Sequence, residues 1–213
     1  SQVLATDFGG SASRLFFEID SLSMYAKYQT DALVLESRSV GESDKLLTLY
    51  TRDFGLVHAR ASAVRKMESK MRSALPLFAL ASASLVRGTR GWRVAGARSS
   101  EYRSLSPEGA HAYARITQLV SRLVHGEEQH AYLFEVLCGA RNACVDKAGA
   151  ALAAAELLSV ARTLYALGYL STEAFTSALL THAHFADEDI EIVLSGRKDL
   201  LGTVNRAIAD TQL

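Results

Sequence analysis

Thr30–Arg93 reads TDALVLESRSVGESDKLLTLYTRDFGLVHARASAVRKMESKMRSALPLFALASASLVRGTRGWR, a series of apolar, β-type runs wrapped around a cluster of positive charge. Candidate strands are Ala32–Arg38, Asp44–Thr51, Gly55–Ala63, Leu77–Arg87 and Gly91–Arg98, short segments rich in β-branched, aromatic and alternating apolar residues. Asp53-Phe54-Gly55 and Gly88-Thr89-Arg90-Gly91 read as the tight connections, because glycine enters positive φ without a Cβ penalty. Ser62–Ala74 reads as a long loop between the third and fourth strands, and it holds the densest positive charge.

Five short strands with a basic loop point to an oligonucleotide/oligosaccharide-binding (OB) barrel. Between Val57 and Arg103 ten Lys or Arg stand against two acids, Glu68 and Glu101, in a chain whose formal net charge is zero. A local excess of this kind calls for a polyanionic partner, met by a patch rather than by the whole surface. Arg65, Lys66, Lys70 and Arg72 lie among small or flexible residues of the loop. Such side chains neutralise phosphates without reading bases, which gives salt-sensitive and sequence-tolerant binding. Arg38, Lys45, Arg60, Arg90 and Arg93 are the expected support around them. The plainer reading of the same loop is a solvated, charge-rich connection. Trp92, between arginines, is placed to stack a base on such a barrel, but strand alternation sets it on the same face as Val94 and favours core packing. Arg38 and Lys45 border the groove of such a barrel, where they could meet the strand backbone, and Glu42 and Asp44 read equally as their salt-bridge partners. With no nucleophile or further ligands nearby, the two carboxylates define no acid–base or metal site.

The composition changes near residue 100, where Ala and Leu begin to recur at helical spacing. Ser106-Pro107-Glu108 is a helix start, with Ser as N-cap and Pro at the first helical position. Tyr113, Ile116, Val120 and Leu123 then form one apolar face. A second helix is expected over Glu128–Cys144, a third over Gly149–Leu167, and further ones at Thr172–Thr181, Asp187–Leu194 and Leu200–Asp210. The expected fold is therefore α+β: a five-stranded OB-fold β-barrel over 28–100, followed by an all-α domain over 101–213. Residues 1–27 are expected to be an extension or cloning remnant outside the functional argument.

Cys138 and Cys144, six apart on one predicted helix, suit reduced thiols of a cytosolic protein rather than a disulfide or a zinc site. His182 and His184 precede Asp187, Glu188 and Asp189, an unspecific metal pattern that reads better as a solvated helix end. His111, His125 and His130 read as surface or boundary positions. No run of eighteen apolar residues occurs, so no transmembrane helix is expected. Phosphate-binding, dinucleotide-binding and serine-hydrolase loops are all missing from the sequence, and the chain is not expected to be an enzyme.

The order of the residues carries a sharper signal. Ala32-Leu33-Val34-Leu35, Arg38, Gly41-Glu42-Ser43-Asp44-Lys45, the strand Leu46–Thr51, Gly55-Leu56-Val57 and Val64-Arg65-Lys66…Ser69-Lys70 resemble the amino-terminal domain of the bacterial recombination mediator RecO family. The resemblance extends from Tyr28 to Arg98 and returns at Leu164–Tyr169 and Gly202–Leu213. It implies binding of single- and double-stranded DNA, annealing of complementary strands, and help in loading recombinase onto strands coated by single-stranded-DNA-binding protein (SSB). The implied setting is the RecFOR repair and recombination pathway in the cytoplasm at the nucleoid, with RecR and the SSB tail as partners and no membrane. Many members of the family carry a four-cysteine zinc module; here the equivalent stretch, Ser171-Thr172-Glu173-Ala174-Phe175, has no cysteine, so no metal or other cofactor is carried over. The alternative function is an OB-fold adaptor whose basic loop meets an acidic protein.

Overall fold

The structure is a computed structural model and describes residues 26–62, 71–99, 103–171 and 177–211. Five strands, β1 (Lys27–Val40), β2 (Asp44–Thr51), β3 (Gly55–Ala61), β4 (Leu80–Gly88) and β5 (Gly91–Ser99), close into a barrel of order β1-β2-β3-β5-β4. β1 and β5 each run antiparallel to β4, whereas β3 and β5 pair in parallel. A short helix, α1 (Met71–Ala74), precedes β4 and ends the segment expected to be loop throughout.

The chain alternates as a barrel wall requires. On β5, Trp92 and Val94 point inward while Gly91, Arg93 and Ala95 face out; on β3, Ala59 and Ala61 are inside and His58 and Arg60 outside. Ala81 and Ala83 on β4 are buried, and Trp92 meets Tyr28 edge-on at 5.6 Å between ring centroids. A register shift at Ser84/Leu85, opposite Gly96, marks a bulge of the kind that bends a sheet into closure. β1 is buried on both faces at Ala32–Leu35. Part of the cover is the segment after α1: Leu75 and Phe78 are buried, Val34 N–H donates to Ala79 O and Phe78 N–H to Val34 O.

That segment delays the fourth strand. β4 begins at Leu80, not Leu77, because Phe78 takes a left-handed conformation (φ 65°) to reach Val34. A side chain with a Cβ adopts that backbone only where its surroundings hold it there.

The second half forms α2 (Pro107–Leu123), α3 (Ala131–Asp146), α4 (Gly149–Ala166), α5 (Ser177–Thr181), α6 (Asp187–Ser195) and α7 (Arg197–Asp210). Ser106 caps α2 as the sequence requires, accepting from Gly109 N–H at 3.1 Å. The expected inner faces are buried: Tyr113, Ile116, Val120 and Leu123 on α2, and Leu133, Phe134, Leu137, Ala140 and Cys144 on α3. α3 starts later than Glu128 because His130 is its N-cap, its Nδ1 accepting from Leu133 N–H. The proton therefore sits on Nε2, which donates to Ala166 O at 2.9 Å. His130 thus ties the start of α3 to the end of α4 and is more than a boundary position.

α4 is the hub of the helices, contacting α2, α3, α5, α6 and α7. Its core residues Leu157, Leu158, Ala161 and Leu164 pack with Ile190, Val193, Leu200 and Val204. Residues 172–176, expected to be helical, lie outside the described residues.

By packing, the chain divides into two compact units, and the border does not follow the sequence. Among the described residues, one unit takes in 26–48 with 58–99, the other 49–57 with 103–211. The tip of the β2–β3 hairpin thus belongs with the helices. Arg52 pairs with Glu135 at 2.5 Å and lies over the Phe134 ring, and Gly55 (φ 61°) comes so close to Glu128 O that a Cβ would sit 2.1 Å from it.

Candidate nucleic-acid interface

The outward side chains of β3 and β5 are brought together by their parallel register, which sets Arg60 beside Arg93 on one face. The β4–β5 hairpin adds Arg90 at its tip, where Gly88 opposes Gly91 and only Thr89 and Arg90 lie between them. Gly91 takes φ 98°, a value that favours glycine. These elements line an open cleft of about 740 Å³, walled by Arg60, Ser62, Thr89, Arg90, Trp92 and Arg93, with Asp44 at its border. All three arginines are exposed. Trp92 is only 5% exposed and its ring belongs to the barrel interior, with the Arg87 guanidinium 5.4 Å from its centre. It therefore forms the base of the cleft and is no stacking platform, in agreement with the alternation of β5.

The cleft gathers Arg60, Arg90 and Arg93 of the residues singled out from the sequence. Arg38, near the end of β1, is exposed, and Lys45, at the start of β2, is half-buried; neither lines the cleft. Arg65, Lys66 and Lys70 lie outside the described residues, and Arg72 falls on α1 with its side chain outside the description. One expectation is corrected. Asp44 does not partner Lys45 or Arg38 in an ion pair of the first hairpin; it takes Arg60, 2.9 Å from Nε and 2.7 Å from Nη2. Residues adjacent along a strand point to opposite faces, so Asp44 meets a side chain from another strand before it meets its chain neighbour.

The helical half holds a second charged constellation, which the sequence did not announce. Arg162, on the Ala-rich face of α4, is fully buried. It donates through Nε to Leu179 O at 2.9 Å, through Nη1 to His184 O, and through Nη2 to Asp189 Oδ2 at 3.2 Å. The guanidinium also covers the Phe185 ring at 4.7 Å. Burial lowers its pKa, and the facing Asp189 opposes that shift. His182 and His184 are consequently parts of a structural knot: Nδ1 of His182 accepts from Arg162, Nε2 faces Asp189 at 3.5 Å, and the two rings stack. Asp189, read from the sequence as one of several solvated acids, is buried. Among the described residues no group of three or more His, Cys, Asp or Glu is arranged to hold a metal ion.

Both thiols are free, and burial pushes that of Cys144 up to about 12, so it is no nucleophile. Among the described residues no helix is long and apolar enough to cross a membrane.

A closed five-stranded barrel with a parallel β3–β5 closure, a basic cleft at its hairpin and a following helical bundle define an OB-fold protein with a helical companion domain. The model of the family "Recombination protein O N terminal" matches residues 24–95, and this segment belongs to that family. A DNA repair protein RecO from Desulfitobacterium hafniense is 48% identical over 61 residues, which cover 29% of this chain and 22% of that protein. The protein of the same name from Pelotomaculum thermopropionicum is 44% identical over 61 residues, 29% of this chain and 24% of the relative. The one from Gloeothece citriformis is 29% identical over 117 residues, 54% and 41% of the two chains. The matched part thus spans less than half the length of each of these relatives.

Proposed function

We propose that this protein acts in DNA repair and recombination by binding DNA strands through the barrel cleft and the adjoining basic loop. The observation that carries the reading is the convergence of Arg60, Arg90 and Arg93 on one cleft, inside the segment that matches the RecO amino-terminal family. Guanidinium groups on strand and hairpin positions hold phosphates through charge-assisted hydrogen bonds and contact no base edge, so the grip is independent of sequence. The finer reading follows the family resemblance: binding of single- and double-stranded DNA, annealing, and recombinase loading on SSB-coated strands in the RecFOR pathway, with RecR and the SSB tail as partners. No step in that work needs a nucleophile or a nucleotide, and we assign the chain no catalytic activity. A cytoplasmic, nucleoid-associated location goes with the same reading.

The test is an anisotropy titration of mixed-sequence single-stranded and duplex oligonucleotides at several salt concentrations, with the parent and with Arg90→Ala/Arg93→Ala. Each phosphate contact removed lowers the slope of log affinity against log salt by about 0.7 on a single strand and about 0.9 on duplex DNA. The double variant is expected to lose about 1.4 in slope on single strands while keeping its far-UV spectrum and melting temperature. Unchanged affinity and slope would remove the cleft from the site. Binding of polyglutamate as tightly as DNA would move the protein to the class of acidic-partner adaptors.

A further inference from the structure

We propose that Asp44 is a built-in counter-ion of the cleft, an internal stand-in for phosphate that Arg60 gives up when a strand enters; this rests on the cleft being the DNA site. Asp44 opens β2 and Arg60 lies one residue before the end of β3. A single carboxylate oxygen receives two donors from the guanidinium, Nε at 2.9 Å and Nη2 at 2.7 Å. Both donors lie on one edge of the guanidinium, the edge that also serves phosphate oxygens. Both side chains line the cleft, the arginine 56% and the carboxylate 20% exposed. An entering phosphate thus finds Arg60 oriented but occupied, whereas Arg93, its neighbour in the parallel register, is presented from the same face.

The consequences are physical. A partly solvated ion pair contributes little to stability, so its exchange for a phosphate costs little. The exchange leaves the carboxylate without its partner, so the grip through Arg60 is held below its maximum. A protein that must take up a strand and then release it into a duplex benefits from such a setting. The pair also keeps Arg60 extended towards the cleft, where an unpartnered arginine spreads over many rotamers and loses more entropy on binding.

Asp44→Asn tests this directly, because its amide oxygen still accepts from Arg60 while the charge is gone. Affinity for a mixed-sequence single strand is expected to rise about five- to tenfold at about 50 mM salt, and the salt slope to steepen by up to about 0.7, because no displaced carboxylate then takes up a cation when Arg60 turns to the phosphate. Asp44→Asn added to Arg60→Ala is expected to leave the slope at the Arg60→Ala value, since the gain acts through Arg60. Unchanged or weaker binding by a folded Asp44→Asn protein overturns the proposal. If Arg90→Ala/Arg93→Ala weakens binding while Asp44→Asn changes nothing, only the role of Asp44 falls. If neither variant changes binding, the cleft reading falls with it.

Discussion

The two halves of the molecule use arginine in opposite ways. On the barrel, Arg60, Arg90 and Arg93 stand on outward strand and hairpin positions and line an open cleft. In the helical unit Arg162 is wholly enclosed, with two backbone carbonyls, an aspartate and a histidine around its guanidinium. The chemistry of the side chain is the same, and the surroundings decide the role. An exposed guanidinium keeps donors for an arriving anion, whereas a buried one has spent its donors on the fold. Arg162 fastens α4 to α5, the turn through His184 and the first turn of α6.

The largest effect that would break this contrast is on stability. Arg162→Ala leaves Asp189 buried without its cation and strands the carbonyls of Leu179 and His184, at a cost of about 3–5 kcal/mol. For a chain of this size that corresponds to a fall in melting temperature of roughly 10 °C. Arg162→Met combined with Asp189→Leu is expected to recover most of the loss, because a buried pair replaced as a whole by apolar groups is often neutral. A single Arg162→Ala protein that melts like the parent would show that the knot contributes nothing.

Next in size is an effect on binding with almost none on stability. Replacing Arg65, Lys66, Lys70 and Arg72 together by alanine is expected to lower the single-strand salt slope by about 2.8 and weaken binding to every sequence alike. Its melting temperature should stay within a degree or so of the parent, since the proposal gives these charges a role in binding and none in folding. If the fourfold variant keeps both affinity and slope, the loop is no part of the site and Arg60, Arg90 and Arg93 carry it alone. Together with Arg162→Ala, this measurement assigns one set of charges to function and the other to folding.

The fold was largely legible in the sequence because its signals are local. Period-two alternation, the Gly88–Gly91 turn and the Ser106-Pro107 start each depend on residues within one turn or strand, and each marks an element the structure contains. The cleft was legible only in composition. The run of cations announced a basic patch, but which of them share a wall is set by the parallel β3–β5 register, a long-range fact with no local trace. The same limit hid the Asp44–Arg60 pair and the burial of Asp189. Arg162 offered one weak signal: a cation inside an Ala- and Leu-rich helix, with the next basic residue on either side far along the chain, Lys147 and Arg197. A charge isolated on an apolar helix is either a surface stripe or a buried knot, and partners seventeen to twenty-seven residues away decide which.

The smallest expected effect probes where the contrast fades. Lys147, at the end of α3, reaches Asp187 in the first turn of α6 with Nζ 2.6 Å from Oδ1; the lysine is 13% exposed and the aspartate 90%. The hydrogen bond from the ammonium, and then its charge, hold the Asp187 carboxyl below its ordinary 3.8. Because the folded value is the lower one, folding favours the ionised form. The contribution is therefore present at neutral pH and is lost as pH falls from the ordinary value through the depressed one. Asp187→Asn is accordingly expected to lower the melting temperature barely measurably at neutral pH, and the gap to the parent should close on acidification below the ordinary carboxylate range. High salt should shrink it as well, since the carboxylate is open to solvent. A gap that widened in acid, or one as large as that of Arg162→Ala, would mean that the α3–α6 contact belongs with the buried knot and not with the solvated charges.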